Sequence, residues 1–214
     1  METTARRPIR TRDKAWVQWL AAALANAGVT PNFISCMSLA CSVAASVCLA
    51  FAGRYLQNGL RVFLLLAAAA GIQLRLLCNL LDGLVAVEGG KRTPTGELFN
   101  EVPDRLADSA LLIAAGYAAA AWARDPGWLA ALLAVMTAYV RVLGGALGLK
   151  QRFSGPMAKQ QRMALLTAAC LGACFEPLLG THGVVIGCAL AVIVLGSAVT
   201  VLRRLAAIAR ELQA

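Results

Sequence analysis

Acidic side chains are concentrated in one short stretch of a chain that is otherwise poor in charge. Eleven acidic residues occur among 214, and six of them fall between residues 82 and 108. Those six are Asp82, Glu88, Glu97, Glu101, Asp104 and Asp108. Apolar segments surround them. An ionisable group at membrane depth costs free energy, so its presence there indicates a function. This cluster is therefore the candidate functional site.

Two helical faces in this stretch carry oxygen-bearing side chains. Asn79 and Asp82 are spaced i, i+3, whereas Asn100, Asp104 and Asp108 are spaced i, i+4, i+8, so each set shares one face of a helix. Antiparallel helices joined by an inner loop would bring the two faces together near one membrane boundary. Carboxylate and amide oxygens suit a hard cation such as Mg²⁺ or Mn²⁺, and a pair of such ions commonly neutralises a diphosphate. The spacing predicts a metal site.

A buried network of ion pairs is the alternative interpretation of the same residues. Arg75 lies one helical turn before Asn79, and Arg105 adjoins Asp104. Spacing alone leaves both interpretations open.

Long apolar segments must position these side chains. The chain is 59% hydrophobic and 14% charged, against about 25% charged residues in soluble domains. A helix that crosses the bilayer core needs about 20 apolar residues. Six segments approach that length: 33–52, 62–81, 106–123, 128–149, 163–179 and 184–202. The expected fold is an all-α integral membrane protein, a single domain over residues 1–214 with a six-helix bundle at 32–207.

The first 31 residues are expected to form a cytoplasmic amphipathic segment. Its basic start precedes apolar residues at helical spacing, among them Trp16, Trp19 and Leu20. This pattern is typical of a helix in the headgroup region that touches anionic lipid. An ordinary amphipathic helix packed on the bundle fits equally well.

The distribution of Lys and Arg predicts the orientation of the bundle. With both termini inside, the inner segments hold fourteen basic residues and the outer turns hold three. Basic residues favour the cytoplasmic side, so both termini and the loops at 82–105 and 150–162 are predicted to face the cytoplasm. The predicted location is the inner cell membrane. This topology accounts for most of the net charge of +9 without a nucleic-acid partner.

Residues 79–104 resemble the signature of the CDP-alcohol phosphatidyltransferases, D-x2-D-G-x2-A-R-x8-G-x3-D-x3-D. Every interval is kept, and the matching residues are Asp82, Gly83, Ala86, Gly96 and Asp104. The segment at 28–32, the fourth-helix residues Tyr139 and Arg141, and the basic loop that follows are also similar to the family. The departures are Asn79 and Asn100 at the first and third signature aspartates, and Val87 at the arginine. Lys91 or Arg92 could replace that arginine, and Glu101 or Asp108 could compensate for the lost charge.

The resemblance implies transfer of a phosphatidyl group from CDP-diacylglycerol to a small polar alcohol, with release of CMP. It assigns Mg²⁺ or Mn²⁺ to four metal ligands, namely Asn79, Asp82, Asn100 and Asp104. Asp104 is also the implied general base for the acceptor hydroxyl. The implied substrate-binding residues are Gly83, Ala86, Gly96 and Arg141.

Arg141 and the basic loop after it suggest a phosphorylated or otherwise anionic acceptor, because guanidinium groups form paired hydrogen bonds with phosphate. Inner loops are also basic for topological reasons alone. Gly144 and Gly148 are spaced for close helix approach, either in a homodimer or within one bundle.

Two further functional interpretations stay open. The Asn residues at signature positions could mark a degenerate family member that binds a nucleotide lipid or a partner without turnover. A membrane prenyltransferase also handles a diphosphate with acidic clusters, but such enzymes carry two separate aspartate-rich motifs and this chain carries one.

Overall fold

A computed structural model describes residues 14–55, 59–88 and 95–213, apart from the side chains of Glu88 and Glu97. Within those ranges the chain forms helices and no strand. The α-helices are α1 (Ala15–Asn26), α2 (Pro31–Ala52), α3 (Gly59–Glu88), α4 (Gly96–Ala118), α5 (Arg124–Ala146), α6 (Lys159–Ala173) and α7 (Val184–Leu212). Short 3₁₀ helices occupy Ala121–Ala123 and Glu176–Leu179. The basic residues predicted at 6–12, and Lys91 and Arg92, lie outside the described residues.

Four helices are long and apolar enough to cross a membrane, and their spans are Pro31–Ala52, Gly59–Val87, Ala121–Ala146 and Val184–Leu212. The protein is therefore an all-helical, multi-pass membrane protein, as predicted. Helix α4 differs because its first half carries the acids of the site, and α6 differs because it has only 15 residues. The sequence predicts six membrane spans, and the two beyond these four candidates stay a prediction.

Helices α2 to α7 form a closed ring. Helix α2 packs against α3 and α4, α4 against α5, α5 against α7, α7 against α6, and α6 against α3. Small residues allow close approach: a Cβ on Gly116 of α4 would lie 3.1 Å from the Cα of Gly127 on α5. Since α3 has 30 residues, it extends for about 45 Å and passes beyond the bilayer core. Its last turns can therefore place polar groups at a membrane boundary.

Local signals explain where α2 begins. Thr30 has extended backbone and accepts a hydrogen bond from the Phe33 N–H at 3.3 Å, so it caps the helix. Pro31 occupies the first helical position, where its missing N–H leaves no bond unmade. Helix α2 thus starts at the same level as the acidic end of α3.

Helix α1 packs on the bundle. Val17 and Ala21 are buried against residues of α3 that include Leu81 and Val85. Trp16 and Trp19 face outward, with 52% and 71% of their surfaces exposed. The structure therefore shows the packed amphipathic helix, while its contact with lipid headgroups remains a prediction.

The two glycines predicted as a small-residue pair, Gly144 and Gly148, lie in different surroundings, the first within α5 and the second just beyond its end. Gly144 faces Ile208 of α7, whose Cδ1 would lie 3.2 Å from an added Cβ. Gly148 follows the helix with φ +79° and has open space around it. Gly144 therefore serves packing within the bundle, and homodimerisation stays a prediction.

A buried ion pair holds the end of the bundle that is remote from the acidic cluster. Arg61, near the start of α3, contacts Glu176 with an Nη2–Oε2 distance of 3.1 Å. Glu176 also accepts hydrogen bonds from the backbone N–H groups of Gly183 and Val185, each at 2.7 Å. This carboxylate caps the first turn of α7 and joins it to α3.

Candidate active site

Serine side chains from α2 hold the polar face of α3. Ser35 donates a hydrogen bond to Asp82 Oδ2 at 2.8 Å, and Ser38 donates to Asn79 Oδ1 at 2.6 Å. Asp82 is buried, and its Oδ1 accepts no hydrogen bond within the described structure. The predicted pairing of Asn79 and Asp82 on one helix face is therefore present, with one carboxylate oxygen left for a ligand.

Asp104 of α4 lies directly opposite that face. Its Oδ1 accepts a hydrogen bond from Asn79 Nδ2 at 2.8 Å, and its Oδ2 accepts one from the Lys159 ammonium at 2.5 Å. Arg75 Nη2 lies 3.4 Å from Oδ1. Among the charged groups that act on Asp82 are Asp104 and Lys159. The two signature helices thus meet at these residues, as the spacing predicted.

Asp108 belongs to a buried ion network one turn deeper. Arg75 and Arg162 each donate to a different oxygen of Asp108, the second at 3.0 Å. All three side chains are almost fully buried. The ion-pair interpretation is therefore correct for Asp108, whose oxygens both accept from arginine, and its replacement of a missing metal ligand stays a prediction.

Glu101 is likewise occupied by arginines. Its two oxygens accept hydrogen bonds from Arg105 and Arg141, each at 2.7 Å. Burial alone would raise the pKa of Glu101, but Arg105 and Arg141 outweigh it and hold that pKa below its usual value. Glu101 remains a carboxylate that contacts Arg141, and its compensation for Asn100 stays a prediction.

A cavity of about 520 Å³ opens beside these groups. Polar lining residues include Asn79, Asn100 and Asp104, and five basic side chains line the same space. The basic residues are Arg105, Arg141, Lys159, Arg162 and Arg204. A cavity with this lining suits an anionic ligand, since the bases outnumber the acids Glu101 and Asp104 in its wall.

Of the other predicted residues, Arg141 and Asn100 line this cavity, whereas Gly83, Ala86 and Gly96 are not among its lining residues. Arg141 lines it, donates to Gln151 at 2.7 Å and stacks over the Phe153 ring. Asn100 lines it and is exposed. Gly83 and Ala86 lie half-buried on the last turns of α3, and Gly96 begins α4. Roles for these residues stay predictions.

Sequence reasoning missed the contacts of four residues of the site. Ser35 and Ser38 were not identified, although with Ser42 they repeat at i, i+3, i+7 on an otherwise apolar helix, a spacing that marks one helical face. The sequence places Lys159 and Arg162 in the basic loop after Arg141, where they suggest an anionic acceptor, but it does not predict their contacts with Asp104 and Asp108. Their i, i+3 spacing at the start of α6 was the available signal.

The oxygens present fit one hard cation. Asp82 Oδ1 is buried and accepts no hydrogen bond from the described residues, so it could serve as a ligand atom for a cation. Within the described ranges, no three His, Cys, Asp or Glu side chains are grouped as metal ligands. A bound ion would therefore also need amide oxygens or phosphate oxygens of the substrate.

Comparison with known proteins agrees with the geometry. The family model described as CDP-alcohol phosphatidyltransferase matches residues 28–202. This chain belongs to the CDP-alcohol phosphatidyltransferase family. The predicted family and enzyme class are thereby confirmed, and the match favours a phosphatidyltransferase over a prenyltransferase. No curated protein sequence matches the chain.

Solved structures share the fold of this phosphatidyltransferase. The Mycobacterium tuberculosis phosphatidylinositol phosphate synthase PgsA1 with CDP-DAG bound has a TM-score of 0.72 and 19% identity, covering 90% of this chain and 92% of that one. The same enzyme in complex with manganese and citrate has a TM-score of 0.72 and 20% identity, covering 90% and 88%. At this identity the likeness establishes the fold.

Proposed function

We propose that the cavity is the active site at which this phosphatidyltransferase moves a phosphatidyl group from CDP-diacylglycerol to a small polar alcohol and releases CMP. The observation that carries the proposal is the direct contact of Asn79 with Asp104, two signature positions from different helices, at the cavity wall. The fold is that of a synthase determined with CDP-DAG bound. Phosphate groups would find five basic side chains around this space.

The chemistry is displacement at phosphorus. A divalent cation, Mg²⁺ or Mn²⁺, would neutralise the diphosphate charge at this site. The resemblance assigns it to Asn79, Asp82, Asn100 and Asp104, and of these Asp82 would supply a carboxylate oxygen that makes no hydrogen bond to a described residue. Asp104 takes the proton of the acceptor hydroxyl, and the hydroxyl oxygen attacks the phosphorus that carries the lipid. The bond from that phosphorus to the bridging oxygen breaks, and CMP leaves. A carboxylate offers about four acceptor sites, so Asp104 can accept this proton while Asn79 and Lys159 fix its orientation.

The proposed topology places this chemistry at the cytoplasmic membrane surface. Helices α2 to α7 cross the inner membrane, α1 lies in the headgroup region, and both termini face the cytoplasm as one membrane domain. The distribution of basic residues supports this orientation. Lipid chains of CDP-diacylglycerol would then stay in the bilayer while its nucleotide enters the cavity past Gly83, Ala86 and Gly96.

Release of CMP tests the proposed function. The purified chain in mixed micelles with CDP-diacylglycerol should release CMP when Mg²⁺ or Mn²⁺ and the right alcohol are present. Chelation of the cation by EDTA should stop the release. A panel of uncharged and phosphorylated alcohols, with lipid products identified by mass spectrometry, would name the acceptor.

A binding protein without turnover is the second candidate function. The observation that favours it is the engagement of both Asp104 oxygens by protein donors. CDP-diacylglycerol binding without CMP release across the whole alcohol panel would support this candidate and contradict the enzyme.

We propose an anionic acceptor, with Arg141 as one of its ligands. Replacing Arg141 by alanine is expected to raise KM for such an acceptor by about 10-fold or more, since a charge-assisted hydrogen bond contributes about 1.5–3 kcal/mol. Steady-state CMP release against acceptor concentration measures this change.

Arg152 provides the matched control for this prediction. It belongs to the same basic loop and lies near Arg141, but it pairs with Glu211 and does not line the main cavity. Arg152→Ala should leave KM unchanged. If Arg141→Ala raises KM equally for charged and uncharged acceptors, or for neither, Arg141 does not bind the acceptor anion.

A further inference from the structure

We infer that this site holds a single divalent cation centred on Asp82, and that Lys159 and Asn79 occupy the Asp104 oxygens that a second cation would need. The inference rests on the proposed function, because it concerns the ion that meets the diphosphate. It differs from the paired ions that commonly serve diphosphate chemistry.

The first observation is that protein donors already engage Asp104 on both oxygens. Lys159 Nζ lies 2.5 Å from Oδ2, and Asn79 Nδ2 lies 2.8 Å from Oδ1. The Lys159 side chain is only 19% exposed and belongs to the first turn of α6. A cation bound to Asp104 would therefore lie beside the ammonium group of Lys159. Like charges at such a separation repel strongly away from bulk water.

The orientation of the Asn79 amide supports the same conclusion. A carboxylate can only accept hydrogen bonds, so the atom of Asn79 that faces Asp104 must be the donor Nδ2. Its Oδ1, the only atom with which an asparagine side chain ligates a hard cation, faces α2 and accepts from Ser38 at 2.6 Å. The Asn79 amide thus joins α2 to α4 through Ser38 and Asp104. An aspartate at this position would instead direct an anionic oxygen towards Asp104.

Charge balance in the cluster also limits the number of ions. Three carboxylates, Asp82, Asp104 and Asp108, are matched by the cations Arg75, Lys159 and Arg162. Two divalent ions repel each other four times as strongly as two unit charges at the same separation. Excess carboxylates would offset that repulsion, but among the described side chains of this cluster the carboxylates only equal the cations in number, so a second ion would depend on the substrate phosphates for its charge balance.

Asp82 remains able to hold one ion. Its Oδ2 accepts a hydrogen bond from Ser35, whereas its Oδ1 is buried and has no hydrogen-bond partner in the part of the chain that the structure describes. An anionic oxygen without a partner is unfavourable in a buried site, and ligation by a hard cation removes that penalty. Asp82 Oδ1 can therefore bind the first ion, whereas the Asp104 oxygens that a second ion would need already accept hydrogen bonds from Lys159 and Asn79.

Counting bound Mn²⁺ tests the inference. The full chain in detergent is titrated with Mn²⁺, and free Mn²⁺ is measured by electron paramagnetic resonance. We expect one tightly bound Mn²⁺ per wild-type chain. The combined variant Asn79→Asp, Asn100→Asp, Lys159→Gln should bind two, with the line broadening of coupled neighbouring spins.

Asn26→Asp is the matched control, since it makes the same change at an exposed residue at the end of α1 and should leave the count at one. Two Mn²⁺ or none bound to the wild-type chain would overturn the inference, and so would one Mn²⁺ bound to a combined variant that elutes as a monodisperse folded protein. The wild-type count decides the matter even if that variant does not fold. If the wild-type chain released CMP with two Mn²⁺ bound, the single-ion inference would be wrong and the proposed function would stand. If it bound one Mn²⁺ but released no CMP, the proposed function would be wrong and the single-ion inference would stand.

Discussion

Replacing Asp104 by asparagine is expected to lower the rate of CMP release by about 10³-fold, the effect of losing a general base. The exchange keeps the size of the side chain but removes the group that would accept the hydroxyl proton. It also removes the negative charge that Lys159 and Arg75 contact. Initial rates of CMP release, with acceptor and cation at saturating concentrations, measure the loss.

Binding of CDP-diacylglycerol separates a chemical role of Asp104 from a structural one. We expect the thermal stabilisation by CDP-diacylglycerol to persist in Asp104→Asn while turnover is lost. Asp125→Asn is the control, because Asp125 is exposed in the first turn of α5 and outside the cavity lining. An Asp104→Asn variant that kept most of the wild-type rate would show that another group accepts the proton.

Helical spacing was sufficient to predict the meeting of the two signature helices. Asn79 and Asp82 face the same way because three residues separate them, and the same periodicity aligns Asn100 with Asp104. Contact between Asn79 and Asp104 then required that the ends of α3 and α4 flanking the inner loop face each other. The two helices pack on either side of α2 and meet through these side chains. These local rules account for the part of the site that lies on the signature itself.

The partners of those residues depend on contacts that spacing does not encode. Lys159 reaches Asp104 because α6 packs against α3, and Arg162 reaches Asp108 one turn further along α6. In the sequence both are ordinary basic residues near an inner loop. Closure of the helix ring decides that they are buried in the site, and ring closure is a long-range property.

Helix ends show the same division between local and long-range information. Apolar character placed the start of the third segment at residue 106, but α4 begins at Gly96 because the polar signature continues the same helix. The fifth segment was predicted over 163–179, whereas α6 ends at Ala173 and a separate 3₁₀ helix covers Glu176–Leu179. Hydropathy locates the part of a helix that lies in lipid, and hydrogen bonding sets its ends.

Arg75 connects the stability of the bundle to the geometry of the site. Its Nη2 contacts both Asp104 and Asp108, and its side chain is fully buried. The Asp108 carboxylate is also the partner of buried Arg162. A change at Asp108 therefore leaves Arg162 without its carboxylate and leaves Arg75 with Asp104 alone.

Replacing Asp108 by asparagine is accordingly expected to reduce the free energy of unfolding by about 3–5 kcal/mol, the effect of breaking a buried ion pair from one side. For a chain of this length that corresponds to a fall of about 6–20 °C in Tm. Thermal unfolding of the detergent-solubilised chain, followed by tryptophan fluorescence, measures the change.

Asp125→Asn again serves as the control, because its carboxylate is exposed and its loss from a helix start is worth only about 0.3–1 kcal/mol. A pair of neutral replacements, Asp108→Asn with Arg162→Met, should recover part of the lost Tm, since it removes one of the buried charges that the single variant leaves unpaired. If Asp108→Asn melts at the wild-type temperature, the network does not stabilise the bundle. Arg75 and Arg162 would then be positioned by helix packing alone, and the link from Asp108 through Arg75 to Asp104 would carry no free energy.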